Sequence, residues 1–505
     1  MDRFRLTTDW LNKRASLSPD TAALLVDGRS YSFSQLDGLV SRLCHFMRET
    51  NVDSGDHVGM LAPNSLAAVA CVFALARIGA ILVPLNTRLT PQELAWQIER
   101  SDCSVVLCAS DLKEAAGLAT RGYIPTLTLP HRASELEKVL AGYPTEFKTK
   151  ATGDLASRQA IVFTSGTTGF PKGVMIRYAN HYWSASGSAM RLGVHPDDRW
   201  LLCLPLYHVG GLSILFRSCL YGTAVVLHNG FSVEAVMNSL QTEAATLISL
   251  VPTMLSRLLQ AGLTQAGAPS LRLILLGGAA ASPQLLVESA AAGLPIAVTY
   301  GLTETTSQVA TMEPERVVGK PGSAGKPLAF ATISILDDEG HDIPHNIPGE
   351  IVVEGPMVMA GYYNDPAATS EKIVNGRLHT GDIGYLDDDG DLWVLDRRSD
   401  LIVSGGENVY PAELERVLRE YPGVSQVCVV GLPHPDWGQQ VTAIIVPHAP
   451  ERFDEDDLLA FSRERLAGYK QPRAIYLVDQ LPQTGSGKIN RRAAAEALTR
   501  RLASE

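Results

Sequence analysis

Short apolar runs, each closed by glycine, proline, asparagine or serine, alternate with stretches of helical spacing along the first part of the chain. HVGMLAP (57–63), ILVPLN (81–86), SVVLCAS (104–110), RWLLCLP (199–205), TAVVLH (223–228), LRLILLGG (271–278) and LPIAVTYG (294–301) are examples. Runs that are apolar on every residue, rather than on alternate residues, predict strands buried on both faces, as in parallel α/β sheets. From about Ala324 the pattern changes. ISILDDEG, GEIVVEG and IGYLDDDGDLWVLDRR predict short antiparallel strands joined by acidic turns. A last unit follows: YPAELERVLREYP and FDEDDLLAFSRERLAGY predict helices, VSQVCVVGLP and QVTAIIVPH strands. The pattern predicts an α/β protein with a large domain over 1–397 and a small α+β domain over 398–505. Ser65–Leu85 has nearly the length of a membrane span, but Arg77, Gly79 and Pro84 interrupt it. It predicts a buried helix running into a buried strand, and no stable membrane insertion.

Composition narrows this further. The 505 residues carry a formal charge of −11, with 46% hydrophobic and 19% charged residues. No basic surplus is available to neutralise nucleic-acid phosphates. The 7 cysteines form no CxxC pair, which argues against a zinc site or disulfide framework and predicts a reducing, cytoplasmic location. The first twenty or so residues lack the apolar core of a signal peptide. Homo-oligomerisation is left open.

The most chemical stretch is FTSGTTGFPKG, Phe163–Gly173. A glycine-, serine- and threonine-rich loop after a buried strand presents backbone N–H groups and hydroxyls to phosphate oxygens. Gly166, Gly169 and Gly173 permit close approach, Ser165, Thr167 and Thr168 supply donors, and Lys172 supplies charge. The loop lacks the spacing of a Walker motif, so it is a phosphate loop of another kind.

This loop resembles that of the adenylate-forming enzymes, which include acyl-CoA synthetases, peptide-synthetase adenylation domains and luciferases. The resemblance covers nearly the whole chain: LPLYHVGGL (204–212), LLGGAA (275–280), YGLTETT (300–306), TGD (380–382), DRRSDLIVSGGENVYPAELE (396–415) and PQTGSGKINR (482–491) follow in the family's order. It implies parallel sheets with a distorted β-barrel subdomain, a mobile small domain, and ATP, Mg²⁺ and coenzyme A as small-molecule partners.

The resemblance also assigns roles. Thr164, Ser165, Gly166, Thr167, Thr168 and Lys172 would hold ATP phosphates. Thr303 would hold the α-phosphate, and Glu304 would hold Mg²⁺. Gly277, Gly278, Ala279 and Gly301 would lie along adenine, with Tyr300 as a stacking face. Asp382 and Arg397 would hold the ribose hydroxyls. His208 would gate the passage between acyl and CoA channels. Lys488, in the small domain, would swing in for adenylation. Ser399 would be the hinge, where many relatives carry Asp or Lys. Gly405 and Gly406 would line the thiol channel. Apart from the resemblance, Lys470 and Arg473 in YKQPR predict either a contact with CoA phosphates or a solvated basic face.

Within the family, Asn180–His228 resembles the branch that ligates 2-succinylbenzoate to coenzyme A in menaquinone or phylloquinone synthesis. That acid has a second carboxylate, which must be held without reacting. Burying it requires a cation. Arg88, Arg191 and Arg217 are candidates, with Ser213 and Gln308 as polar lining. A CoA ligase for another aryl or medium-chain acid, and a carrier-protein-loading adenylation enzyme, are the rival expectations.

Overall fold

The computed structural model describes residues 8–148, 154–164, 170–396, 401–450, 453–482 and 489–502. Their strands fall into three sheets. The first has six strands, in the order Thr126–Leu129, Val105–Ala109, His57–Leu61, Ile81–Pro84, Arg158–Thr164 and Lys172–Arg177. The first five pair in parallel and the last closes as an antiparallel hairpin.

The second sheet has fourteen strands. Ala22–Val26, Ala224–Leu227, Arg199–Leu202, Leu247–Leu250, Leu273–Leu276 and Ile296–Leu302 form its parallel part. The antiparallel strands expected after Ala324 continue the same ladder, through Ser307–Thr311, Ser323–Pro327, Leu392–Asp396, Arg377–Leu386, Gly349–Glu354 and Thr332–Leu336. Register breaks mark this part, and such breaks bend and twist a sheet. The break at Tyr300/Gly301 requires glycine, since a Cβ there would lie 2.0 Å from the Ser307 carbonyl oxygen.

The Ser65–Leu85 stretch folds as its pattern predicts. Ser65 caps the helix Leu66–Ile78, all of whose residues are buried, and Gly79 at φ 86° ends it before the strand Ile81–Pro84. Arg77 is buried with it, and its guanidinium is paired with Asp9 and Asp37 and donates to Ser41. Among the described residues no helix is long and apolar enough to cross a membrane.

The third sheet belongs to the C-terminal part. It has Glu407–Val409, Ile402–Ser404, Gly438–Pro447 and Val424–His434, with Ala474–Leu477 added in parallel to Gly438–Pro447. The helices Pro411–Arg419, Glu455–Arg463 and Arg491–Leu502 accompany it. The expected boundary, 397/398, and the hinge Ser399 lie outside the described residues.

Candidate active site

The carboxyl ends of the parallel strands converge on one cavity of about 390 Å³. This is where an open α/β sheet binds ligands, because the turns leaving the strands present backbone groups there. Thr164, Gly277, Gly278, Gly301, Thr303 and Glu304 line it from the large part. Leu401, Gly405, Gly406, Glu407, Asn408 and Tyr410 line it from the C-terminal part. The cavity is therefore built by both parts together.

Thr164 ends its strand opposite Lys172 in the hairpin register, and Lys172 places its ammonium 5.2 Å from the Tyr362 ring centre. Ser165, Gly166, Thr167 and Thr168 lie outside the described residues, as do Arg397 and Lys488. Thr303–Thr305 forms a tight turn straight after the strand Ile296–Leu302. Glu304 accepts a 2.9 Å hydrogen bond from the Tyr362 hydroxyl on one carboxylate oxygen. A carboxylate so oriented on a cavity wall suits Mg²⁺, which takes one or two protein carboxylates and completes its shell with phosphate oxygens and water.

Gly277 packs so closely that a Cβ would meet the Thr299 methyl at 2.7 Å, and Gly278 adopts φ 80°. Both requirements explain the glycine pair. Ala279 follows outside the lining residues. Tyr300 is buried and donates a 2.6 Å hydrogen bond to Asp382, which orients that carboxylate. Asp382 itself lines the cavity.

The candidate cations separate clearly. Arg191 is paired with Glu313 and donates to the Pro327 carbonyl, away from the cavity. Arg88 lines the cavity but is ion-paired to Glu407 at 3.1 Å and lies over the Tyr469 ring. Arg217 is 2% exposed, lines the cavity, and has no carboxylate partner among the described residues. Its Nε is buried without a hydrogen-bond partner, and Nη2 makes one long contact, 3.4 Å, to Ser184. Burial pulls its pKa down. Gln308 lines the same cavity, with its amide nitrogen donating to Thr311. Ser213 does not line it: its hydroxyl turns back to the Gly210 carbonyl inside the helix Val209–Tyr221.

His208 lies where the two parts meet, its Nε2 3.2 Å from Glu407. Glu407 is the centre of this junction and was not foreseen. It also accepts from Arg88, Tyr207 and Asn86. Burial pushes its carboxyl up, but the bonds and charges of His208, Arg88 and Tyr207 outweigh burial and hold it below the ordinary glutamate value. The sequence signal for it is a carboxylate placed directly between Gly406 and Asn408.

Lys470 also departs from expectation. It is buried, with its ammonium 2.7 Å from both Glu93 and Glu413, and so does not face solvent where CoA phosphates would lie. Arg473 is exposed, its guanidinium 3.9 Å from the Trp437 ring centre.

The cavity, the glycine-lined strand ends and the second, smaller unit are those of a nucleotide-dependent acid-activating enzyme. The chain belongs to the AMP-binding enzyme family: residues 11–363 match the family's main model and 413–488 its C-terminal domain. It is 43% identical to the 2-succinylbenzoate–CoA ligase of Bacillus licheniformis, over 96% of this chain and 98% of that one. A double mutant of o-succinylbenzoate CoA synthetase from Bacillus subtilis, bound with its product analogue, is similar at 39% identity and a TM-score of 0.91, covering 97% of this chain and 98% of that one. The same enzyme in complex with the acyl-adenylate OSB-AMP gives 0.74 at the same identity, covering 96% of this chain and 97% of that one. The arrangement is thus more similar to that of the product-analogue complex than to that of the acyl-adenylate complex.

Proposed function

We propose that this chain is an acid–thiol ligase that joins 2-succinylbenzoate to coenzyme A with ATP, through an acyl-adenylate, releasing AMP and pyrophosphate. Family membership and full-length similarity to 2-succinylbenzoate–CoA ligases support the reaction. Arg217 is the observation that carries the acid. A buried guanidinium without a carboxylate partner is costly to keep unless a ligand completes it. An acid with one carboxylate, used up in the reaction, would leave it unpaired. The ring carboxylate of 2-succinylbenzoate completes it, with Gln308 alongside.

In the first half-reaction a succinyl carboxylate oxygen attacks the α-phosphorus and pyrophosphate leaves. Thr303, Lys172 and the phosphate loop, with Ser165, Gly166, Thr167 and Thr168, steady the developing charge. Glu304 would hold Mg²⁺, which when bound would neutralise charge at the phosphates. Asp382, oriented by Tyr300, holds the ribose with Arg397, and Lys488 bridges the reacting oxygens. In the second half-reaction the CoA sulfur, losing its proton, attacks the acyl carbon and AMP leaves. Gly405 and Gly406 leave room for the pantetheine thiol beside His208. We assign 1–397 to the large domain and 398–505 to the small one, with Ser399 as pivot. The seven cysteines are all free thiols, which supports a reducing cytoplasm.

The test compares 2-succinylbenzoate with 4-oxo-4-phenylbutyrate, which lacks only the ring carboxylate, in ATP- and CoA-dependent AMP release. The wild-type chain prefers 2-succinylbenzoate strongly. Arg217→Met raises its KM for that acid by roughly 10- to 100-fold, the worth of one charge-assisted contact, and leaves 4-oxo-4-phenylbutyrate nearly unaffected. Turnover of octanoate or benzoate with none of 2-succinylbenzoate would overturn the assignment.

A further inference from the structure

Two contacts join the C-terminal part to one face of the helix Pro91–Arg100, and neither belongs to the cavity chemistry. Lys470 is 3% exposed and bridges Glu93 on that helix to Glu413 on the helix Pro411–Arg419. One turn further along, Trp96 stacks on Phe170 at 5.7 Å and 21°, and the Arg416 guanidinium lies over the Phe170 ring, 4.5 Å from its centre. Glu93 and Trp96 are three residues apart, as are Glu413 and Arg416, so each pair shares a helix face. The two helices are therefore bridged at two points, through Lys470 and through Phe170.

The carboxylates are not equivalent. Glu413 and Lys470 lie in the same C-terminal part, so their ion pair travels with it. Glu93 stands across the junction and is already fixed: its Oε2 accepts from the Thr90 amide at 2.8 Å and the Thr90 hydroxyl at 2.9 Å, as a helix capping box. Its Oε1 is left for Lys470. Glu413 thus keeps the ammonium paired when the parts separate, and Glu93 is the docking acceptor. Phe170 lies at the end of the phosphate loop, two residues before Lys172. Docking on this helix face therefore also engages Phe170.

We infer that the helix Pro91–Arg100 is the platform on which the C-terminal part seats for thioester formation, and that Glu93, through Lys470, is a positioning residue for that half-reaction. The inference rests on the two-step reading above. Its test separates the steps in single turnover: acyl-adenylate formation, read as pyrophosphate release, and thioester formation from preformed adenylate, read as AMP release on adding CoA. Glu93→Gln keeps a residue able to complete the capping box but removes the charge. It is expected to slow thioester formation by about tenfold or more, with adenylate formation within about twofold of wild type, as for loss of one partner of a buried charge pair confined to one arrangement. Arg416→Met, which removes the aromatic contact, is expected to show the same split. Equal losses in both half-reactions, or no loss in either, overturn the proposal. The split is read on whichever acid the wild-type chain adenylates, so failure of 2-succinylbenzoate as substrate would sink the functional reading and leave this one standing.

Discussion

Glu407 shows how much one side chain can set at the junction of two domains. Its carboxylate takes Arg88, His208, Tyr207 and Asn86 from the large part at 3.1–3.4 Å. A folded-state pKa below the ordinary 4.5 means that ionised Glu407 stabilises the folded arrangement. The sign follows directly: this stability is fully present above the unfolded value and is lost as pH falls through the lower, folded one. Glu407→Ala should therefore lower the melting temperature most near neutral pH, by an amount corresponding to about 2 kcal/mol for a lost set of charge-assisted bonds. The gap to wild type should shrink as the solution is acidified below about pH 4, and a gap independent of pH would refute the assignment. Tyr207 responds oppositely as a group: burial and the same carboxylate push its hydroxyl pKa upward, so it stays a neutral donor.

At the scale of elements, much of the architecture was legible because burial on both faces writes continuous apolar runs. Leu273–Leu276 and Ile296–Leu302 fall where the pattern put them, and the helix Leu66–Ile78 follows from its serine cap and terminal glycine. The joining of the antiparallel strands to the parallel sheet was not legible, since pairing between Ile296–Leu302 and Ser307–Thr311 depends on a bulge at Gly301. Nor were partners distant in sequence. Arg77 finds Asp9, and Lys470 finds Glu93, because folding brings the elements together; no local spacing announces either pair. The same holds for the acidic turn after the strand Arg377–Leu386. The Lys320 ammonium lies 2.6 Å from Asp387, 2.7 Å from Asp389 and 2.6 Å from Asp391. The turn reads as a solvated acidic loop, yet it is closed by a cation from the segment before Ser323–Pro327. Lys320→Met leaves three carboxylates facing one another, with Arg316 still paired to Asp391. Its melting temperature should fall at neutral pH and recover toward wild type as pH drops into the carboxylate range, where protonation relieves the repulsion. A deficit that persists in acid would assign the loss to packing instead.

For the whole molecule, the central fact is that two parts share one cavity and touch through contacts of different kinds. Arg88–Glu407 is partly open to solvent, Lys470–Glu93 is buried, and Arg416–Phe170–Trp96 is a stack. The stack supplies a reporter of their relative position. Trp10 and Trp200 are buried in the large part and should be indifferent to movement of the small one. Trp96 is half-buried under Phe170, which Arg416 covers. If the C-terminal part leaves this helix face for adenylate formation, Arg416 departs, Phe170 loses the group packed on it, and the indole gains water contact as that ring moves. Mixing the protein with ATP and 2-succinylbenzoate should then shift tryptophan emission to the red, and adding coenzyme A should return it. Trp437 also lies near the junction, carrying Arg473 on its face, so Trp96→Phe is needed to assign the signal. That variant should lose most of the shift while still releasing pyrophosphate. An undiminished shift in Trp96→Phe would place the moving surface elsewhere and would leave Glu93 and Lys470 as a static ion pair. A shift that is lost with Trp96 and weakened by Arg416→Met would tie the opening of this one helix face to the passage from the first half-reaction to the second.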